Sequence, residues 1–272
     1  MKNKELLIFL GLGIVILLFG VLLSPQQKNI QNEKVPSPEK RNIIVTSPYP
    51  NEKVKLPLTI KGKARVFENQ LNYRLRDLNK NIILEGTAYA NSPDIGQFGD
   101  FKIQVTSLPV MRSIALTFEV FDYSAKDGQE IDTISIPVAF VLENAIHVNI
   151  FFSSKHAKSK QECTTVFPVE RLILNTQTPA HKAVEELLQG PMVVEKNNGY
   201  YTNINDGVKI QELTIFDGVA HVDFNKKLEE EVSGSCKVTA IRQQIIETLK
   251  QFSTIKEVII SINGRTKDIL QP

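Results

Sequence analysis

The sequence predicts a multi-domain chain in which a transmembrane helix is followed by a β-sandwich and then by a two-layer α/β domain. Three observations predict it. Leu6–Leu23 are eighteen consecutive uncharged, almost wholly apolar positions. Between residues 42 and 142, short β-type runs alternate with turn signals and show no helical period. From residue 145 the order becomes strand, helix, hairpin, helix, strand.

The first segment sets the expected compartment. Eighteen residues in a helix span roughly 27 Å, close to the thickness of a bilayer's hydrocarbon core. Lys2 and Lys4 precede the run and the next cation is Lys28, so the positive-inside bias puts residues 1–23 in place as an anchor with a short cytoplasmic end. A cleaved signal peptide is the rival reading. It favours a shorter apolar run ending in small residues, whereas this one ends VLLSPQQ. No cysteine follows closely, which argues against lipoprotein processing. The expected location is the bacterial cytoplasmic membrane, single-pass, with the bulk of the chain extracytoplasmic.

Residues 24–41, SPQQKNIQNEKVPSPEKR, are polar, proline-containing and without hydrophobic period, as in a flexible tether. The sandwich then spans 42–142. Its strand candidates are NIIVT (42–46), PLTIKGKA (57–64), LNYRLRD (71–77), NIILEGTAYA (81–90), DFKIQV (100–105), SIALTFEVFDY (113–123) and EIDTISIPVAF (130–140). SPYPNE, DLNKN, SPDIGQFG and AKDG punctuate them. Leu116, Phe118 and Val120 alternate with Thr117, Glu119 and Phe121, as a half-buried strand requires.

The α/β domain spans 145–272. AIHVNIFF (145–152) alternates as a strand. TPAHKAVEELLQGP (178–191) carries both ends of a helix: Thr178 at the N-cap, Pro179 in the first helical position, and Gly190-Pro191 as the stop. Ala180, Ala183, Val184, Leu187 and Leu188 form its apolar stripe. VKIQELTIF and VAHVDF flank Asp217-Gly218, a hairpin signal. A second helix from Val238 to Phe252 would bury Ile241, Ile245, Leu249 and Phe252, with KEVIISING (256–264) as the closing strand. The helices are expected on one face of a single sheet.

Charge excludes one class of partner. The segment beyond the anchor holds 30 basic and 29 acidic residues, with no basic tract or aromatic-interleaved stripe, so nucleic acid has no electrostatic footprint.

Several motifs together carry a family resemblance. Cys163 with FPVER (167–171), ELLQGP (186–191), GYYTNIN (199–205), GVKIQELTIFDGVAHVDF (207–224), GSC (234–236), IRQQIIETLKQF (241–252) and ISINGRTKDILQP make the C-terminal half resemble a GerMN domain, the bacterial sporulation and spore-germination domain. SPYPNEKVKLPLTIKGKARVFE (47–68), RLRDLNKNIILEG (74–86) and GQFGDFKIQV (96–105) make the preceding half similar to the immunoglobulin-like domain found beside it. The resemblance implies an extracytoplasmic, non-catalytic envelope module tied to assembly of sporulation or germination complexes. It supplies no catalytic residues, cofactor or metal to carry over.

Cys163 and Cys236 are the chain's two cysteines. Cys236 follows a Ser-Gly-Ser turn just ahead of the second helix, where a nucleophile would find a lowered pKa. None of His147, His156, His181 and His221 has a sequence cue linking it to Cys236, and paired zinc-ligand spacings are absent. A structural disulfide between Cys163 and Cys236 fits the oxidising compartment and the family pattern. It would close a loop of roughly 73 residues, on the order of 4 kcal/mol in the chain-entropy model. Asp122, Asp127, Glu130 and Asp132 lack calcium-loop spacing and read as a solvated turn. Glu229–Glu231 read as a solvated face. Phe167–Val169 beside Arg171 read either as a partner surface or as a buried strand with one ion-paired arginine.

The functional expectation is therefore a membrane-anchored binding or scaffold protein without enzymatic activity or cofactor. Its partners are the membrane, through Leu6–Leu23, and envelope proteins or cell wall, with room for oligomerisation. The alternatives are an envelope hydrolase with two close carboxylates in a deep pocket, or a glycan or small-ligand binder using Tyr200, Tyr201 and Phe216.

Overall fold

Each of the seven expected strands in the first half forms, because inward apolar positions recur every second residue. The computed structural model describes residues 41–109, 115–156 and 165–271, which fall in one compact unit. The anchor, the linker up to residue 40, and Cys163 lie outside the described residues. Among the described residues no helix is long and apolar enough to cross a membrane.

The sandwich sets two sheets face to face. One holds β1 (Ile43–Ser47), β3 (Leu58–Ala64) and β6 (Gly99–Val105), in the order β1-β3-β6. The other holds β2 (Glu52–Val54), β4 (Gln70–Arg76), β5 (Ile82–Tyr89), β8 (Ala115–Tyr123) and β9 (Glu130–Phe140), in the order β2-β9-β8-β4-β5. Register places apolar side chains opposite one another on the inner faces: Leu58 with Val105, Ile60 with Ile103, and Leu75 with Phe118. Ile60, Leu75 and Phe118 are fully buried.

The second half differs from the single sheet expected. One sheet holds β10 (Ala145–Ser154), β11 (Phe167–Leu174), β12 (Tyr200–Tyr201) and β7 (Ser107–Pro109), in the order β12-β10-β11-β7. The other holds β13 (Ile210–Phe216), β14 (Val219–Phe224) and β15 (Glu257–Ile262). Three helices accompany them: α1 (Pro179–Leu188), α2 (Val193–Asn197) and α3 (Ser235–Lys250). The reason for two sheets is visible at β10. Side chains following and within α3 occupy its free edge: Gln251 Oε1 accepts from Asn149 N at 2.7 Å, and Thr248 Oγ1 accepts from Phe151 N at 3.2 Å. A strand cannot pair where these groups already satisfy the backbone.

Local signals explain the boundaries. Pro179 opens α1, and Gly190, at φ 75°, ends it in the left-handed region. Asp217 and Gly218 both have positive φ, the primed turn that matches strand twist in the β13–β14 hairpin. α3 begins three residues earlier than expected, so Cys236 lies within its first turn rather than ahead of it.

The two halves are joined through β7. This strand arises in the segment assigned to the sandwich, yet pairs antiparallel with β11, setting Pro109 opposite Arg171 and Ser107 opposite Ile173. In return, Leu172 of β11 packs in the sandwich core, with Ala145 and Leu174 against it.

Candidate functional site

The junction holds the most heavily buried charge in the described chain. Arg171 is fully buried on β11, between Glu186 on α1 and Glu195 on α2. Its guanidinium makes five hydrogen bonds: Nε to Glu195 Oε1, Nη1 to the carbonyl and to Oε2 of Glu186, and Nη2 to Gly190 O and Glu195 Oε2. The donor fork is thereby saturated. The ring of Phe152 lies 5.4 Å from the guanidinium carbon, a cation–π arrangement.

One oxygen of each carboxylate has a further partner. Glu195 Oε2 accepts from Met192 N at 2.7 Å, fixing the start of α2. Ser107 on β7 donates to Glu186 Oε2 at 2.5 Å, which ties the sandwich strand to the same charge. Glu186 Oε1 receives no hydrogen bond, and Lys182 Nζ stands 3.2 Å away as its counter-charge. Burial alone would lower the Lys182 pKa. The charge and bonding of Glu186, with Glu185, outweigh that and hold it above its ordinary value. Of the two sequence readings of FPVER, the structure shows the buried strand with an ion-paired arginine.

Beside this cluster opens a cleft of about 420 Å³, bounded by β5, the β6–β7 connection, the α1–α2 loop and α2. Glu85, Gln104, Gln189 and Lys196 are among its polar lining, with Tyr73 and Met192 on its walls. A second concavity, about 480 Å³, lies between the start of α1, β13 and the residues following α3. Pro179, Ala180, Leu213, Ile215 and Phe252 line it. Among the described residues, β13 is bonded on one side only, to β14. Register puts Ile215 on the face shared with buried Ala220, and Phe216 on the opposite face beside Val219. Ile215 is 43% exposed and Phe216 81% exposed.

The other sequence candidates fall as follows. Cys236 is not a free thiol. Tyr200 and Tyr201 sit on β12 beside β10, while Phe216 belongs to the other sheet, so the structure does not gather the three on one strand surface. His147 pairs with Glu170 at 2.7 Å and His181 faces Glu185 at 3.5 Å. The Glu229–Glu231 run is less solvated than expected: Arg265 pairs with Glu229 at 2.5 Å and Lys227 with Glu230 at 2.6 Å.

The acidic residues of the sandwich do not converge on a cation, and among the described residues no group of three potential ligands does. Asp132 accepts from Asn42, and Asp127 from Gln129 N. Glu130 instead joins Glu119 around Arg74, whose guanidinium lies 4.4 Å from the Phe121 ring centre. Burial would raise the Glu119 pKa, but bonds and charges from Arg74 and Arg76 outweigh it and hold the group below its ordinary value. A depressed folded-state pKa gives stability that is complete above the unfolded value and lost as pH falls through the folded one. Urea midpoints should therefore fall as pH drops through and below the ordinary carboxylate range, and Glu119→Gln should flatten that fall. An unchanged slope in the variant would remove Glu119 from the account.

Comparison with known proteins follows the division at the junction. Residues 42–129 match the family described as the immunoglobulin-like domain of bacterial spore germination. Residues 149–268 match the family described as sporulation and spore germination. Among solved structures, the chain is similar to the tandem GerMN domains of the sporulation protein GerM from Bacillus subtilis, at 22% identity and a TM-score of 0.37. That likeness covers 46% of this chain and 41% of the other, so this chain spans about two fifths of that structure's length. The first GerMN domain of the same protein is 19% identical with a TM-score of 0.33, over 44% of this chain and 85% of that one. No curated protein matches the chain.

Proposed function

We propose that this chain, whose residues 42–129 match the immunoglobulin-like domain of bacterial spore germination and whose residues 149–268 match the sporulation and spore germination family, is a binding and scaffold protein of the bacterial cell envelope. Leu6–Leu23 anchors it in the cytoplasmic membrane as a single pass, and the linker carries residues 42–272 outside. A Cys163–Cys236 disulfide staples the C-terminal domain in that oxidising compartment. The work is non-catalytic: the domains hold other envelope components in sporulation or germination assemblies.

The observation that carries the reading is the open edge of β13. A strand bonded on one side, with Ile215 facing a groove and Phe216 exposed on the other face, offers both backbone pairing and apolar anchors to an incoming segment. Such edges are normally shortened, charged or covered. Here it ends in its most exposed aromatic.

A photo-reactive phenylalanine analogue at position 216, activated in intact cells, tests this. It should crosslink reproducibly to a small set of envelope proteins, and the added substitution Ile215→Asp should remove those products. The same analogue at the exposed sandwich residue Leu78 should not yield them. Identical neighbours from both positions would contradict docking at β13. The junction cleft favours small-ligand binding as a second activity beside docking.

A further inference from the structure

We infer that the end of the sandwich opposite the β7 junction rests on a lipid surface, with Phe67 and Ile95 set into the membrane interface. This goes beyond docking at β13 and uses none of that edge's residues. It rests on the reading of Leu6–Leu23 as an anchor.

Two connections cross between the sheets at this end. β3 stops at Ala64 and β4 starts at Gln70, while β5 stops at Tyr89 and β6 starts at Gly99. Residues 65–69 and 90–98 therefore lie side by side, and they touch. Ala90 N donates to Asn69 O at 2.8 Å, and the Arg65 guanidinium carbon lies 4.8 Å from the Phe98 ring centre. β9 also begins here, where Asn42 donates to Asp132 at 2.7 Å, and it runs away to Phe140 and the C-terminal domain.

Each connection holds an apolar side chain outward on a bonded turn. Gln97 N donates to Asp94 O at 3.2 Å, closing a turn with Ile95 in its second position and Gly96, at φ 76°, in its third. Ser92 Oγ lies 2.8 and 2.7 Å from the carbonyl oxygens of Asp94 and Gln97, which braces that turn. Ile95 is 99% exposed at its corner. In the other connection Asn69 N donates to Val66 O at 3.2 Å, and Phe67 takes the second position, 69% exposed. Turn corners ordinarily carry polar residues, glycine or proline. An isoleucine and a phenylalanine held there contribute nothing to the core. Tyr89, the last residue of β5, adds an exposed phenol at the same end, a side chain enriched at the headgroup level of membranes.

The occupant follows from where the chain enters. β1 starts at Ile43 opposite Ala64, so the polypeptide from the anchor joins the sandwich at this end. Arg65 fixes the entry, its N donating to Asn42 O and its Nε to Asn42 Oδ1. Residues 24–41 separate anchor and sandwich, and a coil of that length has an r.m.s. span of roughly 25 Å. The bilayer is thus held within reach of both tips as a tethered partner. Charge favours apolar contact with the lipid over attraction to its headgroups. Arg65, Glu68 and Asp94 are the ionisable residues of the two connections, and they form no cationic cluster for anionic lipid.

The chain contains no tryptophan, so one introduced at a tip reports alone. Ile95→Trp and Phe67→Trp are made in the full-length protein and placed in nanodiscs with and without brominated phosphatidylcholine. Leu78→Trp, in the exposed β4–β5 turn at the other end of the sandwich, is the control. Both tip variants should lose about half of their emission or more to the bromines, as a side chain at interfacial depth would. Leu78→Trp should lose none. Phe67→Asp added to Ile95→Trp should restore most of the lost emission at an unchanged thermal midpoint, because both side chains are exposed. Quenching should be the same when about a third of the lipid is phosphatidylglycerol. Equal quenching at positions 95 and 78, or no quenching at the tips of an incorporated chain, would overturn the inference and leave the anchor standing. A chain that does not enter nanodiscs would overturn both. Quenching that requires anionic lipid would overturn the apolar contact. Tips unquenched by lipid yet crosslinked to a protein in intact cells would assign this end to that protein instead.

Discussion

Arg171→Met is expected to lower the stability of the folded chain by about 3–5 kcal/mol, the scale seen when one partner of a buried ion pair is removed. The size follows from what is left behind. Glu186 and Glu195 would remain buried with Lys182 beside Glu186 as a counter-charge, and Gly190 O and the Glu186 carbonyl would lose their donor. A methionine fills much of the arginine stem's volume, so lost packing contributes little. Chemical denaturation followed by far-ultraviolet circular dichroism measures the loss. Adding Glu195→Gln should recover part of it, because the neutral side chain can still accept from Met192 N while removing one uncompensated charge. A loss under about 1 kcal/mol would show that the cluster is not held as described, since that is the worth of an exposed pair.

Replacing Cys163 and Cys236 together by alanine is expected to cost about 2–4 kcal/mol relative to the oxidised protein. Cys236 lies in the first turn of α3, the helix whose buried face supplies Val238, Ile241, Ile245 and Leu249 to the C-terminal core. A bond from there to Cys163 would restrict a long loop of the unfolded chain containing α1, α2 and the β13–β14 hairpin, and restricting the unfolded state is where the chain-entropy account puts the effect. The parent protein in reductant should approach the double variant's urea midpoint. A parent midpoint indifferent to reductant would contradict the proposed bond.

The sandwich strands were legible because their code is local. β3 and β6 alternate buried and exposed residues along their length, and period two is a strong signal. β7 was not legible. Three residues ending in proline carry no period, and the pairing of Pro109 with Arg171 depends on chain brought from more than sixty positions away. α2 is too short for a helical period, although Glu195, accepting from Met192 N at its start, is the kind of acidic first-turn residue that marks a helix beginning. Arg171 was readable as an ion-paired arginine, but its partners were not. Glu186 follows Ala183 by three residues and so falls on the helix's buried side, a cue that a carboxylate there needs a cation. The division of the second half into two sheets depends on Gln251 and Thr248 reaching β10, which no pattern of hydrophobicity encodes. The junction cleft was invisible for the same reason, since its walls come from elements that meet only through the tertiary fold.

The measurement that tests the central claim most directly is the state of Cys163 and Cys236 in intact cells, trapped by alkylation and mapped by mass spectrometry of non-reduced peptides. A peptide linking Cys163 to Cys236 is the predicted result: it would set the GerMN domain outside the cytoplasm and remove both sulfurs as nucleophiles, as an anchored, non-catalytic binding protein requires. Two free thiols, readily alkylated before lysis, would contradict the account at its base and make Cys236, at the start of α3, a residue to be tested for chemistry.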